Sequence, residues 1–203
     1  MNTNIAFSRS RYRQLIAHTF WLVLSSSAGP AQSTTSIDAE TRKIATPLLS
    51  PSAQLMKEAF GAYRSGNWDM ALEKANSCIR GFEKRALVIQ QSYKSTNAPV
   101  IITPERVTDP ATRKDILSRG PLNDVAGCYI VIGRTCLAQY DQEPNRKTTA
   151  AREFLKRAKQ AFEKARTLTY AYVFDPRSPA SFWRPSAKAS EALSQEPLVS
   201  YQD

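Results

Sequence analysis

The run Ala59-Phe60-Gly61-Ala62-Tyr63-Arg64-Ser65-Gly66-Asn67-Trp68-Asp69-Met70-Ala71-Leu72 constrains this chain more than any other. Small and apolar residues at helical spacing lead up to Gly66-Asn67 and resume beyond it. Glycine is the residue that most readily takes the left-handed conformation ending a helix. The segment predicts an amphipathic helix, a tight turn and a second helix folding back. Neither helix can bury its apolar stripe alone, so the pair must pack on further elements. An all-α fold follows, of the kind that serves as a scaffold for another molecule.

The flanking sequence extends the pattern. Ser50-Pro51 supplies an N-cap with proline at the first helical position. Leu55, Ala59, Ala62 and Tyr63 recur on one face up to the turn. The second helix starts near Asp69 and carries Leu72, Ala75, Cys78, Ile79, Phe82, Ala86 and Ile89 on one face, reaching Tyr93. Gly81 in its middle costs about 1 kcal/mol relative to alanine and predicts a bend or a close contact. Residues 96–123 form an insert interrupted by Pro99, Pro104, Pro110 and Pro121, with a short extended run Val100-Ile101-Ile102. Within it, Asp109-Pro110 to Gly120 reads as a short helix with cap, proline and terminal glycine.

Residues 124–139 place Val125, Cys128, Tyr129, Ile132, Cys136 and Leu137 at helical spacing. Cys128-Tyr129-Ile130-Val131-Ile132 would also suit a buried strand, but a proline-free run of this length favours a helix. A polar loop, 140–148, precedes the clearest helix, 149–168, whose stripe is Phe154, Leu155, Ala158, Ala161, Phe162, Ala165 and Leu168. The tail mixes Tyr170, Tyr172, Phe174, Phe182 and Trp183 with Pro176, Pro179 and Pro185, and a last short helix follows at 186–194. Such a tail either fills gaps in the core or presents an aromatic docking strip.

The N-terminal end has a different texture. Arg9, Arg11 and Arg13 precede the apolar run 15–24, and Gly29-Pro30-Ala31 offers small residues for cleavage. Residues 1–31 therefore read as a signal peptide, with an uncleaved membrane anchor as the alternative. Residues 32–49 read as a flexible tether and 50–203 as one helical domain. Export implies a periplasmic or secreted location. Removing 1–31 leaves 25 basic against 18 acidic residues, a charge near +7. In an exported protein that balance disfavours nucleic acid and suits an anionic polymer, a membrane surface or an acidic protein.

The only histidine, His18, lies in the predicted signal, so the mature chain has no catalytic triad, Cys-His pair or His-ligated metal site. No carboxylate pair stands out for glycoside chemistry, and no glycine-rich phosphate loop is present. The expectation is a non-enzymatic protein without metal or cofactor. Cys78, Cys128 and Cys136 are too few for a disulfide scaffold. Cys128 and Cys136, eight residues apart, would be separated by about 12 Å on one helix and could not bridge. Cys78 could pair with either, or all three could pack as buried thiols.

At Gly66-Asn67-Trp68-Asp69-Met70-Ala71-Leu72 the chain resembles a tetratricopeptide-repeat hairpin, with Ala59 and Cys78 as its other small positions. A second, looser likeness is Ala158-x-x-x-Phe162-x-x-Ala165, with Gly133 as the small residue of a partner helix. The two stand 87 residues apart, far from the family's period of about 34. The resemblance implies a compact bundle of two such antiparallel hairpins, at about 51–95 and 124–170, closed by the insert and tail. It further implies a groove lined by first helices, with Met56, Phe60, Tyr63 and Arg64 facing it and Arg134 joining from the later hairpin. Met56 and Phe60 could equally be core. The function implied is a scaffold or adaptor binding a protein or peptide in the cell envelope. The alternative is a structural component that holds anionic polymer or lipid on its basic surface.

Overall fold

The computed structural model describes residues 49–102, 104, 107–175 and 181–201, all within the unit Ala45–Asp203. The predicted signal, His18 and all but the last residue of the predicted tether lie outside the described residues. The described residues form six helices and one minimal strand pair, so the fold is all-α. No helix among them is long and apolar enough to cross a membrane.

Local signals set most helix ends. Helix α1 (Pro51–Arg64) is capped by Ser50, whose hydroxyl accepts from the Ala53 amide at 3.3 Å. Helix α2 (Trp68–Ser95) is capped by Asn67, with Asp69 in its first turn and Lys94 in its last, as the helix dipole prefers. It runs unbroken past Gly81, where an added Cβ would meet nothing within 4 Å. The expected close contact is absent there. Helix α3 (Pro110–Ser118) is capped by Asp109, whose carboxylate accepts from the Thr112 amide at 2.7 Å.

Helix α4 (Gly120–Gln142) begins earlier than the apolar pattern suggests. Gly120, expected to end α3, instead opens α4, because Pro121 in the first turn starts a helix readily. Helix α5 (Thr149–Thr167) is capped by Thr148, and α6 is Pro185–Leu193. The strands β1 (Val173–Phe174) and β2 (Phe182–Trp183) pair antiparallel, with Val173 opposite Trp183.

Helix α4 is the axis of the unit. It packs most extensively on α2 and α5, and also on α1 and α6, while α1 packs on α2 across their short turn. Every residue from Leu122 to Gly133 is buried. A helix surrounded on all sides loses its polar face, so its apolar run becomes continuous and mimics a strand. Small residues permit the close approaches. A Cβ on Gly127 would fall 2.6 Å from Met56 Sδ of α1, and one on Gly133 would fall 2.6 Å from the Phe162 ring of α5. Ala59, Ala71, Ala75, Ala158 and Ala165 are fully buried in the same core.

The tail fills the core. Tyr170, Tyr172 and Phe182 are buried, while Phe174 keeps 38% of its surface exposed. One cation ties the tail to the insert. Arg119, only 3% exposed, donates to the Tyr170 carbonyl at 3.0 Å and to the Asp115 carboxylate. Its guanidinium lies 4.0 Å from the Tyr93 ring centroid and 5.1 Å from that of Tyr172. Tyr93 also donates to Asp115. The two rings and the carboxylate replace part of the hydration that the buried charge gives up. Burial pushes the Asp115 carboxyl up, but the bonds from Tyr93 and Arg119 outweigh it and hold it below the usual carboxylate range.

Candidate functional site

The turn between α1 and α2 is built by two adjacent residues. Gly66 takes φ +75°, the left-handed conformation that a side chain would strain. Asn67 then accepts from the Met70 amide at 3.2 Å and starts α2. Trp68, half-buried, sets its ring 5.6 Å from that of Tyr63 and so braces the end of α1.

These residues form one wall of a cleft of about 500 Å³. Gly66, Asn67, Trp68 and Asp69 line it from the turn, Gln139, Gln142 and Glu143 from the end of α4, and Phe154 from α5. The lining holds two carboxylates, three amides and two aromatic rings, with no Lys or Arg. In a chain with 28 basic and 18 acidic residues this is a local inversion of charge. Such walls offer hydrogen-bond acceptors and π faces and suit a ligand that donates N–H or O–H groups. The lining contains no Ser, Cys, His or Lys that could act as a nucleophile.

The residues predicted to face a groove are distributed differently. Met56 is half-buried against Gly127 of α4. Phe60 is half-buried and meets the Trp183 ring edge-on at 6.1 Å. Tyr63 packs on Trp68, beside the cleft. Arg64 is exposed, and its Nε donates to the Phe60 carbonyl at 3.2 Å. Arg134 is exposed on α4, close enough to Glu191 of α6 to contribute to lowering that carboxyl, though the nearer Lys188 does most of this. Thus Tyr63 adjoins the cleft wall, while Met56 and Phe60 spend their side chains on packing. Gln139, Gln142, Glu143 and Phe154 carry no motif. Only the packing of α4 and α5 beside the turn singles them out.

A second polar cluster is buried between α1, α2 and α4. Ser52 Oγ donates to Asp124 Oδ2 at 2.6 Å, and the Ser52 carbonyl accepts from the Cys78 thiol at 3.8 Å. Cys78 is the neighbour that acts most strongly on the Cys128 thiol, and Asp124 stands one turn before Cys128. Burial raises the Asp124 carboxyl to about 6, against a smaller opposing effect of the Ser52 hydroxyl. The neighbouring Cys78 thiol and burial both push the Cys128 thiol up. Cys136 belongs elsewhere. It is buried where Arg157 and Glu153 of α5 act on it, and burial raises its thiol as well. Among the described residues no group of His, Cys, Asp and Glu is arranged to hold a metal ion.

No protein-family model matches the chain, and no curated protein and no solved structure matches it either.

Proposed function

We infer that the chain is an exported, non-enzymatic helical scaffold that binds a protein or peptide partner in the cell envelope. The observation that carries this reading is the open cleft beside the Gly66–Asn67 turn, which combines hydrogen-bond acceptors with aromatic rings. The tetratricopeptide-like reading fits two further features. Trp68 braces the turn, and Gly133 receives the Phe162 ring as the small residue of a close helix pair. Export rests on the basic, apolar and small-residue order of residues 1–31.

The test is capture from an envelope fraction, then titration of the purified partner against wild type, Asp69→Lys and Arg64→Glu. The reading expects saturable binding that weakens at least tenfold with Asp69→Lys. Absence of a saturable partner, or equal affinity for all three proteins, overturns it.

A second reading has an observation of its own. On α5, Arg152, Lys156, Lys164 and Arg166 are exposed, with Glu153 the one fully exposed carboxylate of that helix. A basic face of this kind suits an anionic polymer or lipid headgroups. Binding to anionic vesicles that disappears at moderate salt would favour it, since exposed charge contacts are screened over about 8–10 Å.

A further inference from the structure

Cys78 sits midway along α2 and Cys128 near the middle of α4, the pair of helices that contact each other as extensively as any in the unit. Both thiols are fully buried. Cys78 is tied through Ser52 to Asp124, one turn before Cys128, and is the neighbour that acts most strongly on the Cys128 thiol. The first turn of α1 meets the Cys78 thiol through the Ser52 carbonyl. Cys136 is excluded by helix geometry. Eight residues beyond Cys128, it is displaced by about 12 Å along the axis and turned by about 80°, toward α5.

We propose that Cys78 and Cys128 are a disulfide-forming pair that staples α2 to α4 when the chain folds in an oxidising compartment. With both thiols buried between two helices that already pack on each other, the sulfurs close to about 2.05 Å without separating the helices. The oxidant is a dialkyl disulfide. One cysteine thiolate attacks it, forming a mixed disulfide and releasing one thiolate. The second cysteine thiolate then attacks the protein sulfur and displaces the other. The two cysteines together lose two electrons and two protons, which end on the two released thiols. Burial under α1 keeps the finished fold from reacting, so the bond forms before α1 is seated. This chemistry is independent of what the cleft binds.

The full chain is unfolded and reduced in urea, then refolded in a buffer of reduced and oxidised glutathione, with alkylation of remaining thiols. Mass spectrometry of the unreduced digest should find one intramolecular bond joining Cys78 to Cys128, with Cys136 alkylated. Cys136→Ser should leave that bond in place and Cys78→Ser should abolish it. Native reduced protein should form the bond at least tenfold more slowly than refolding protein. The oxidised form should unfold at higher urea than the reduced form. A bond to Cys136, no intramolecular bond after refolding, or a lower midpoint for the oxidised form would overturn the proposal.

Discussion

Asp124 is a carboxylate placed where its charge is costly, and Asp124→Asn measures that cost. Its one hydrogen-bond donor is the Ser52 hydroxyl. The Cys128 thiol, one turn along the same helix, brings no positive charge. The carboxyl titrates near 6 in the fold against 3.8 for an ordinary aspartate, a gap of about two units. At 1.36 kcal/mol per unit, the ionised side chain destabilises the fold by about 3 kcal/mol above pH 6. The folded state binds the extra proton between about pH 4 and pH 6, so this contribution makes stability fall as pH rises through that window. Above it the loss is complete and constant.

The asparagine keeps an acceptor for Ser52 but adds a buried amide N–H that needs a partner, which returns about 1 kcal/mol. The expected net gain at pH 8 is about 1–2 kcal/mol, shrinking to zero or reversing by pH 4. Urea unfolding of wild type and variant at pH 4.5, 6 and 8 reads this directly. Carboxylates held low, such as Asp115, change stability in the opposite direction with pH, but they cancel in the difference between the two proteins. A variant less stable than wild type at pH 8, with a difference independent of pH, would refute the reasoning.

Substitutions at three other positions test the packing. Gly133→Ala drives a methyl to 2.6 Å from the Phe162 ring and should cost about 1–3 kcal/mol in urea unfolding. Gly81→Ala places its methyl in open space on an exposed helical position and should stabilise by about 0.5–1 kcal/mol, seen as a raised thermal midpoint. Arg119→Met strands the Tyr170 carbonyl and removes the cation between Tyr93 and Tyr172, at a cost of about 3 kcal/mol in urea unfolding. Arg119→Lys should not restore it, because an ammonium cannot reach the carbonyl and carboxylate together from between the rings.

Helix starts were legible where a capping side chain precedes the first turn. Ser50, Asn67, Asp109 and Thr148 each accept from a backbone amide three residues on, a bond that depends on nothing distant. The early start of α4 was not legible, since Gly120 can end one helix or open the next, and Pro121 with the packing of Asn123 decides. Asn123 donates to the Ile116 carbonyl at 2.7 Å and accepts from the Tyr172 amide at 2.9 Å, joining α3 to the tail. Arg119 looks like any surface arginine in the linear pattern. Its burial depends on rings contributed from residues 93 and 172.

By itself, the amino-acid sequence determined the all-α character and the sharp turn at Gly66-Asn67. Both rest on short-range causes: helical spacing of apolar residues, a left-handed glycine and an amide cap. It also singled out Gly133, which receives the Phe162 ring, but not Gly127, which receives Met56. It could not choose the environment of each helix face. Only tertiary packing set Gln139, Glu143 and Phe154 beside the turn, directed Met56 and Phe60 into packing, and turned Cys128 rather than Cys136 toward Cys78. The rotation of α4 about its own axis decides this last pairing. Cys128 faces α2 and Cys136 faces α5, and nothing within fifty residues of chain between Cys78 and Cys128 encodes that angle locally.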